Sequence, residues 1–413
     1  MKIGFIGLGK LGLPVALAIE SKGHEVKGYD LNPKIKDFVK NRKVPYKEQG
    51  IEEFLAKTNL KVTDLEEVVK HAEIIFIAVQ TPHDPKFEGI TRLTDERKDF
   101  DYSYLINAVK ELSNTLDKLS LQKIVVIIST VLPQTIVEKV KPVMSKNVKL
   151  CYNPFFIAMG TTIPDFLHPE FILFGVDDKD ALEKAKEFYK TITPAQVYET
   201  TIKNAELIKV AYNTFIGMKI VFANTIMEIC EKTGADADAV INGLSLANRR
   251  LISSSYLYGG MGDGGGCHPR DNIALSWLSK KLDLKFDFFE SLMIARERQT
   301  EYLASIIQNY DLPKVILGKA YKPETNLTVG SPAILLKNIL EEQKIDIKIY
   351  DPHVDLNEQE LLNEITSKPH VYFIGTKHPE FINFNYAKGS IIIDPFRYIP
   401  EIEGVKVVKI GKR

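Results

Sequence analysis

Several groups of residues in this chain have the types and spacing needed for chemistry. A glycine-rich turn, Gly7-Leu8-Gly9-Lys10-Leu11-Gly12, directly follows the apolar run Ile3 to Ile6, and an acid, Asp30, stands behind a second strand-like run from Glu25 to Tyr29. In that setting Gly7 allows the tight turn, Gly9 lets backbone approach a pyrophosphate, and Gly12 lets the next helix pack on the strand. The start of that helix, Leu13 to Lys22, offers amide donors and a partial positive charge to a diphosphate. Asp30 would accept from ribose hydroxyls and repel a 2′-phosphate, so the pattern points to NAD rather than NADP.

Lys209 and Asn213 interrupt an otherwise apolar helical run, and their four-residue spacing puts them on one face. A buried lysine is costly unless it is paired or used. Further along, six glycines fall within Gly259–Gly266 and lead into Cys267-His268-Pro269-Arg270-Asp271. Such backbone lets a substrate come close. A cysteine at a helix start beside an arginine has the setting of a nucleophile. Ser129-Thr130 and Thr81-Pro82 each follow a strand, which puts hydroxyls at the carboxyl edge of the sheet where ligands of such folds sit.

Together these groups suggest a four-electron oxidation. A hydride carrier can take an alcohol to an aldehyde, but the aldehyde yields a second hydride only after a nucleophile makes its carbon tetrahedral. A thiolate does this as a thiohemiacetal; hydride loss then leaves a thioester, which water opens to an acid.

The elements that must position these residues follow from the apolar pattern. Short β-branched runs at Ile3–Ile6, Glu25–Tyr29, Ile74–Val79, Ile124–Ile128 and Lys149–Tyr152 alternate with helical stretches, predicting a parallel, doubly wound sheet. The charged stretch Phe87–Asp101 has little periodicity and is expected to be a surface insertion or lid. From Lys203 to Lys232 only Gly217 weakens a long helix, apolar nearly all round through Leu207, Ile208, Val210, Phe215, Ile216, Ile220, Val221 and Phe222. Such a helix must be buried between domains or between subunits. More helix is expected to about Leu244, at Asn272–Leu282 and at Phe286–Tyr310. Strand texture returns at Lys314–Leu317, Ile345–Tyr350, Val371–Gly375 and Ser390–Asp394, with a helix at Pro332–Glu342. The fold class expected is α/β: two Rossmann-like doubly wound parallel-sheet domains joined by a central helical domain with one long helix. The boundaries read as 1–198, 199–311 and 312–413.

The 413 residues are too many for one core. With 54 basic and 54 acidic residues the chain is balanced, which argues against nucleic acid or an anionic membrane as partner. No apolar run reaches the roughly 20 residues of a membrane span and no targeting segment is visible, so a cytoplasmic protein is expected. Cys151, Cys230 and Cys267 are too few and scattered for disulfides or a zinc site, and no metal is expected.

At this point the chain resembles the UDP-glucose/GDP-mannose dehydrogenase family over nearly its whole length. The resemblance rests on Gly7 to Pro14, Ser129-Thr130-Val131-Leu132-Pro133, Ala205-Glu206-Leu207-Ile208-Lys209 through Asn213, Gly264 to Asp271, and Leu317-Gly318-Lys319-Ala320-Tyr321-Lys322-Pro323. It implies that Cys267 is the nucleophile, that Lys209 and Asn213 stabilise the oxyanion, and that Asp271 and Thr130 handle water and the proton of the first oxidation. It further implies an NAD site at Gly7, Gly9, Lys10, Leu11, Gly12, Asp30, Thr81, Pro82 and Thr130. UDP-hexose contacts would come from Lys209, Asn213, Arg250 (or Arg249), Gly264, Tyr321, Lys322 and Arg397, in a homodimer joined through the long helix.

The chain also departs from the family pattern. Asn153-Pro154-Phe155-Phe156-Ile157 and Met159 stand where the family usually has two glutamates, Val329-Gly330-Ser331 replaces Arg-Glu-Ser, and Arg270 replaces a more usual lysine. UDP-glucose is the substrate expected first. A UDP-N-acetylhexosamine dehydrogenase, a two-electron 3-hydroxyacid-type dehydrogenase and a non-catalytic nucleotide-sugar-binding homologue remain open at this point.

Overall fold

The computed structural model describes residues 1–249, 251, 253 and 255–412. The chain divides into two compact units, one of residues 1–82 and 100–211, the other of residues 83–99 and 212–413.

The first unit is built on β1 (Lys2–Ile6), β2 (Glu25–Tyr29), β3 (Lys61–Val62), β4 (Ile74–Ile77), β5 (Lys123–Ile127), β6 (Val148–Tyr152), β7 (Ile172–Val176) and β8 (Val197–Thr200). They form one sheet in the order β3-β2-β1-β4-β5-β6-β7-β8. Every pairing is parallel except β6 with β7. The strand order reverses beside β1, so the carboxyl ends of β1 and β4 open the crevice in which doubly wound sheets take ligands. Buried Ile3, Phe5, Ile74 and Phe76 fill the sheet from strands that are apolar on both faces, as parallel strands covered by helices must be. The short β3, together with β7 and β8, extends the sheet beyond the five strands expected.

The second unit holds a five-stranded, all-parallel sheet: β9 (Lys314–Leu317), β10 (Ile347–Tyr350), β11 (Val371–Ile374), β12 (Ile391–Asp394) and β13 (Lys406–Lys409), in the order β10-β9-β11-β12-β13. The helix Pro332–Glu342 covers one face with Leu335, Leu336, Ile339 and Leu340. Helices Ala237–Ser245, His268–Lys281 and Phe288–Gln308 belong to the same unit. The long helix runs from Ile202 to Thr233, and the division between the units falls within it.

Within this chain the long helix is covered on one side only: Val210, Ile216, Ile220 and Val221 are buried, but Leu207, Phe215, Phe222 and Ile229 are exposed. The segment after Pro82, expected as a surface insertion or lid, is an insertion that belongs to the second unit and is tied to its helices. Arg97 pairs with Glu290 and donates to Ser276, Arg92 pairs with Glu301 and Glu342, and the Leu93 amide donates to Glu297. Phe87 and Leu93 pack on Ile273 and Met293. The charges that read as solvated in sequence are thus spent on binding the segment to the helices of its own unit.

Candidate active site

In the first unit the glycine turn sorts its three glycines by geometry. Gly7 has φ 92° and its amide donates to the Tyr29 carbonyl at 2.9 Å. A Cβ on Gly12 would lie 2.1 Å from the Gly7 carbonyl oxygen, so Gly12 is required by packing within the turn. A Cβ on Gly9 would meet nothing within 4 Å. Internal packing therefore does not explain Gly9, whereas a ligand backbone lying over it would. The helix Gly12–Ser21 starts directly at this open surface. Asp30 is fixed by two amides, from Leu8 to Oδ2 at 2.6 Å and from Asn32 to Oδ1 at 2.7 Å. Each oxygen keeps lone pairs for ribose hydroxyls. Lys10 and Leu11 lie in the turn, and Lys10 is exposed. Past β4 and β5, Thr81 Oγ1 donates to the Thr130 carbonyl at 2.7 Å and Ser129 Oγ to the Val79 carbonyl at 2.6 Å. These bonds tie together the two loops that wall the crevice, with Pro82 at the end of one. The residues fit a dinucleotide.

Lys209 is buried on the long helix, its Nζ 5.1 Å from the centre of the Phe156 ring. A cation over an aromatic face is stabilised while it keeps its donors. Three residues earlier, buried Glu206 accepts from the Gln134 and Ile136 amides at 2.6 and 2.8 Å. Burial pushes its pKa up to about 7, against the pull of those amides. This carboxyl anchors the start of the helix and so places Lys209. Phe155 packs on Phe166 with 5.4 Å between centroids, and Phe156 on Phe171 with 4.7 Å. The loop that departs from the family's acids is therefore an aromatic cluster.

In the second unit Cys267 stands at the N-cap position of the helix His268–Lys281, makes no side-chain capping bond, and is exposed. The helix begins at His268, as the reading of Cys267 at a helix start implies and four residues before the expected span from Asn272, and Pro269 sits in its first turn, where its missing N–H costs nothing. Arg270 Nη2 lies 3.5 Å from Cys267 Sγ. Burial disfavours the guanidinium charge, but Cys267 and Asp271 outweigh it and hold the Arg270 pKa above the ordinary value. Asp271 is buried and accepts from Asn213 Nδ2 at 2.6 Å; next to it, Thr214 Oγ1 donates to Asn272 Oδ1 at 2.7 Å. Gly217 lets the glycine loop come close, since a Cβ there would lie 3.2 Å from the Asp263 carbonyl.

The glycine loop then meets the turn after β9. Gly264 and Gly265 have φ 111° and 121°, and a Cβ on Gly265 would sit 2.4 Å from the Tyr321 ring. Tyr321 and Lys322 are half-buried there, with Lys322 Nζ 5.9 Å from the Tyr321 ring centre. Asn213, Gly264, Cys267, Asp271, Tyr321 and Lys322 are thus linked through the contacts of one unit. Arg397 lies apart from them in its bonding. Its guanidinium donates to Asp238 at 2.8 Å and to the Gly259 and Pro395 carbonyls at 3.1 and 2.6 Å. Arg250 lies outside the described residues.

Two features were not read from the sequence. A Cβ on Gly89, at φ 76°, would be 2.4 Å from Pro269, so the segment after Pro82 seats the first turn of the cysteine helix. The turn of the first sheet is also repeated in the second. The Gly318 amide donates to the Tyr350 carbonyl at 2.7 Å, and Asp351 accepts from the amides of Lys319 at 2.7 Å and His353 at 2.8 Å. Gly7, Tyr29, Leu8, Asn32 and Asp30 make the same set of bonds. The Gly-to-Tyr-Asp pattern was visible in both places, but ten extra residues in the second disguise it.

A dinucleotide turn in one unit and a glycine loop ending on an exposed cysteine in the other, each unit with its own sheet, fit an NAD-linked oxidoreductase. The comparisons agree. The sequence models of the UDP-glucose/GDP-mannose dehydrogenase family match residues 1–193 (NAD binding domain), 203–297 (central domain) and 315–400 (UDP binding domain). The chain belongs to this family, whose members are NAD-dependent nucleotide-sugar dehydrogenases. It is 30% identical to the UDP-glucose 6-dehydrogenase of Rhizobium meliloti, over 88% of this chain and 84% of that one. It is 28% identical to the GDP-mannose 6-dehydrogenase of Pseudomonas syringae pv. syringae, over 86% and 82%. A UDP-glucose dehydrogenase structure from Pyrobaculum islandicum superposes with a TM-score of 0.86 at 25% identity, covering 100% of this chain and 98% of that one. Among the described residues no helix is long and apolar enough to cross a membrane.

Proposed function

We propose that this chain oxidises UDP-glucose at C6 to UDP-glucuronate, with two molecules of NAD consumed per sugar. The observation that carries the reading is Cys267 exposed at a helix start with Arg270 at 3.5 Å, next to the Asn213–Asp271 bond of 2.6 Å. The 30% identity to a UDP-glucose 6-dehydrogenase supports the choice of sugar.

Gly9 and Asp30 would hold NAD⁺, which would supply the hydride acceptor for two successive oxidations. In the first, C6 gives up a hydride and its hydroxyl a proton, leaving an aldehyde, with Asp271 and Thr130 assigned to the water and the proton. The Cys267 thiolate then adds to the aldehyde carbon, and the resulting oxyanion is stabilised by the Lys209 ammonium and the Asn213 amide. Loss of the second hydride from this thiohemiacetal gives a thioester. Water activated by Asp271 adds to the thioester carbonyl, the C–S bond breaks, and the acid leaves with the thiol restored. Because Phe155 and Met159 offer no carboxylate, Asp271 carries the water chemistry in this reading.

The functional division follows residues 1–198 for NAD, 199–311 for dimerisation and 312–413 for the nucleotide sugar, with contacts from Gly264, Tyr321, Lys322 and Arg250; Arg397, whose guanidinium is spent within the protein, is left out of that set. Phe215, Phe222 and Ile229 recur every seven residues on the exposed face of the long helix, the spacing of a helix seam. A second copy of this chain covers that face, making a homodimer.

A panel of UDP-glucose, UDP-N-acetylmannosamine, UDP-N-acetylgalactosamine and GDP-mannose, each with NAD⁺, tests the substrate. The highest kcat/KM is expected with UDP-glucose, and preference for an acetamido sugar or for GDP-mannose would reassign it. Tight binding of a nucleotide sugar without NADH formation would instead favour a binding protein, the reading suggested by Phe155, Met159 and Val329.

A further inference from the structure

In the run Gly262-Asp263-Gly264-Gly265-Gly266 that leads into Cys267, Asp263 is the one residue with a side chain. Glycine makes the turns of this loop possible, but it also leaves the backbone more freedom than any other residue would. A side-chain anchor for the loop can therefore stand only at Asp263.

That anchor is present. Asp263 is buried, and its Oδ1 accepts from Arg296 Nε at 2.8 Å. Arg296 belongs to the helix Phe288–Gln308 and is only 1% exposed; its Nη2 donates to the Gly89 carbonyl at 2.6 Å. Gly89 in turn lies so close to Pro269 that no Cβ would fit between them. One guanidinium thus holds the chain four residues before Cys267 and also the segment seated against the residue two places after it. Every member of this chain of contacts lies in the second unit.

We propose that Arg296 and Asp263 are positioning residues, a buried clasp that fixes Cys267 Sγ beside Arg270 for its attack on the substrate carbon. The role rests on Cys267 being the nucleophile of the proposed function. Stability alone is a poor reason for such a pair, because taking two charges out of water offsets most of their attraction and an apolar pair of similar volume often does as well. Here Arg296 Nη1 and Asp263 Oδ2 make no hydrogen bond to another described residue, which weakens the case for stability further. What an apolar pair lacks is direction. The Nε and Nη2 bonds set the angle and distance of two separate backbone segments at once, as a planar guanidinium can and a methylene chain cannot. A nucleophile misplaced by about 1 Å loses roughly 10²-fold in rate, so the loop that carries Cys267 has to be held this closely.

The test compares the unmodified full chain with Arg296→Lys, which keeps the charge but cannot span both partners, and with the double variant Asp263→Leu/Arg296→Met, which leaves no lone charge in the interior. The unfolding midpoint, the rate of alkylation by iodoacetamide across pH, and kcat and KM with UDP-glucose and NAD⁺ are measured for each. Cys151 and Cys230 are buried, so alkylation reports on Cys267. Both variants are expected to unfold close to the midpoint of the unmodified chain. Their alkylation at neutral pH should slow at least about threefold as the thiol loses its place beside Arg270. Their kcat should fall roughly 10²-fold while KM for both substrates stays within about threefold. Unchanged alkylation and kcat in either folded variant would overturn the proposal. Losses that only follow a lowered unfolding midpoint would overturn it too, by making the pair structural. If the unmodified chain forms no NADH with any nucleotide sugar, the proposed function fails, and the alkylation profiles still decide whether the pair positions the thiol.

Discussion

The Asn213 amide donates to the Asp271 carboxylate at 2.6 Å, joining the long helix to the first turn of the cysteine helix, and both side chains are buried. An amide held this way has one N–H fixed toward the acid and presents the other in a set direction. Asp271→Asn keeps an oxygen that can accept the bond but removes the charge. It is expected to lower kcat by roughly 10² to 10⁴, with KM for the nucleotide sugar and the unfolding midpoint little changed. An unfolding midpoint that drops together with activity would make Asp271 a structural residue instead.

The glycine turn predicts opposite outcomes for two similar changes. Gly9→Val adds a side chain to open space, so stability should hold within about 1 kcal/mol while NAD binding weakens at least tenfold. Gly12→Ala forces a Cβ to 2.1 Å from a carbonyl oxygen and should destabilise by roughly 1–3 kcal/mol or more. Calorimetric titration with NAD and chemical denaturation of both variants distinguish these effects. A Gly9→Val variant with unaltered NAD affinity would remove the cofactor from this turn.

The exposed apolar face of the long helix predicts the assembly. Phe222→Glu puts a charge in the middle of the Phe215, Phe222 and Ile229 face. Sedimentation should show a dimer for the unmodified chain and a monomer for the variant at the same concentration. A monomeric unmodified chain would contradict the proposed seam.

His83 makes stability depend on pH. Burial, aided by the Arg270 charge, pushes its pKa down to about 4 from an ordinary value of 6.5. The folded chain therefore keeps the ring neutral while the unfolded chain binds a proton below pH 6.5. The stability contributed by the neutral ring is fully present above pH 6.5 and is lost as pH falls toward 4, amounting to ~3 kcal/mol at most. His83→Gln should flatten this part of the pH–stability curve. An identical slope in the variant would place the titrating group elsewhere.

The sequence was most readable where local pattern and chemistry coincide. The turn at Gly7, the strand Glu25–Tyr29 and the helix Pro332–Glu342 all lie where apolar runs and punctuation put them. The two-residue β3 and the half-exposed β8 were invisible because their burial patterns are weak. The ion pairs that fix the segment after Pro82 were not legible for a different reason. Its arginines look like a solvated face until the tertiary structure supplies Glu290, Glu301 and Glu342 from distant helices.

Counting NADH formed per UDP-glucose consumed tests the central claim most directly. The account predicts two NADH per sugar for the unmodified chain. With Cys267→Ser, which retains nucleotide-sugar binding, release of the acid should be blocked. One NADH per sugar, or undiminished acid production by Cys267→Ser, would contradict it.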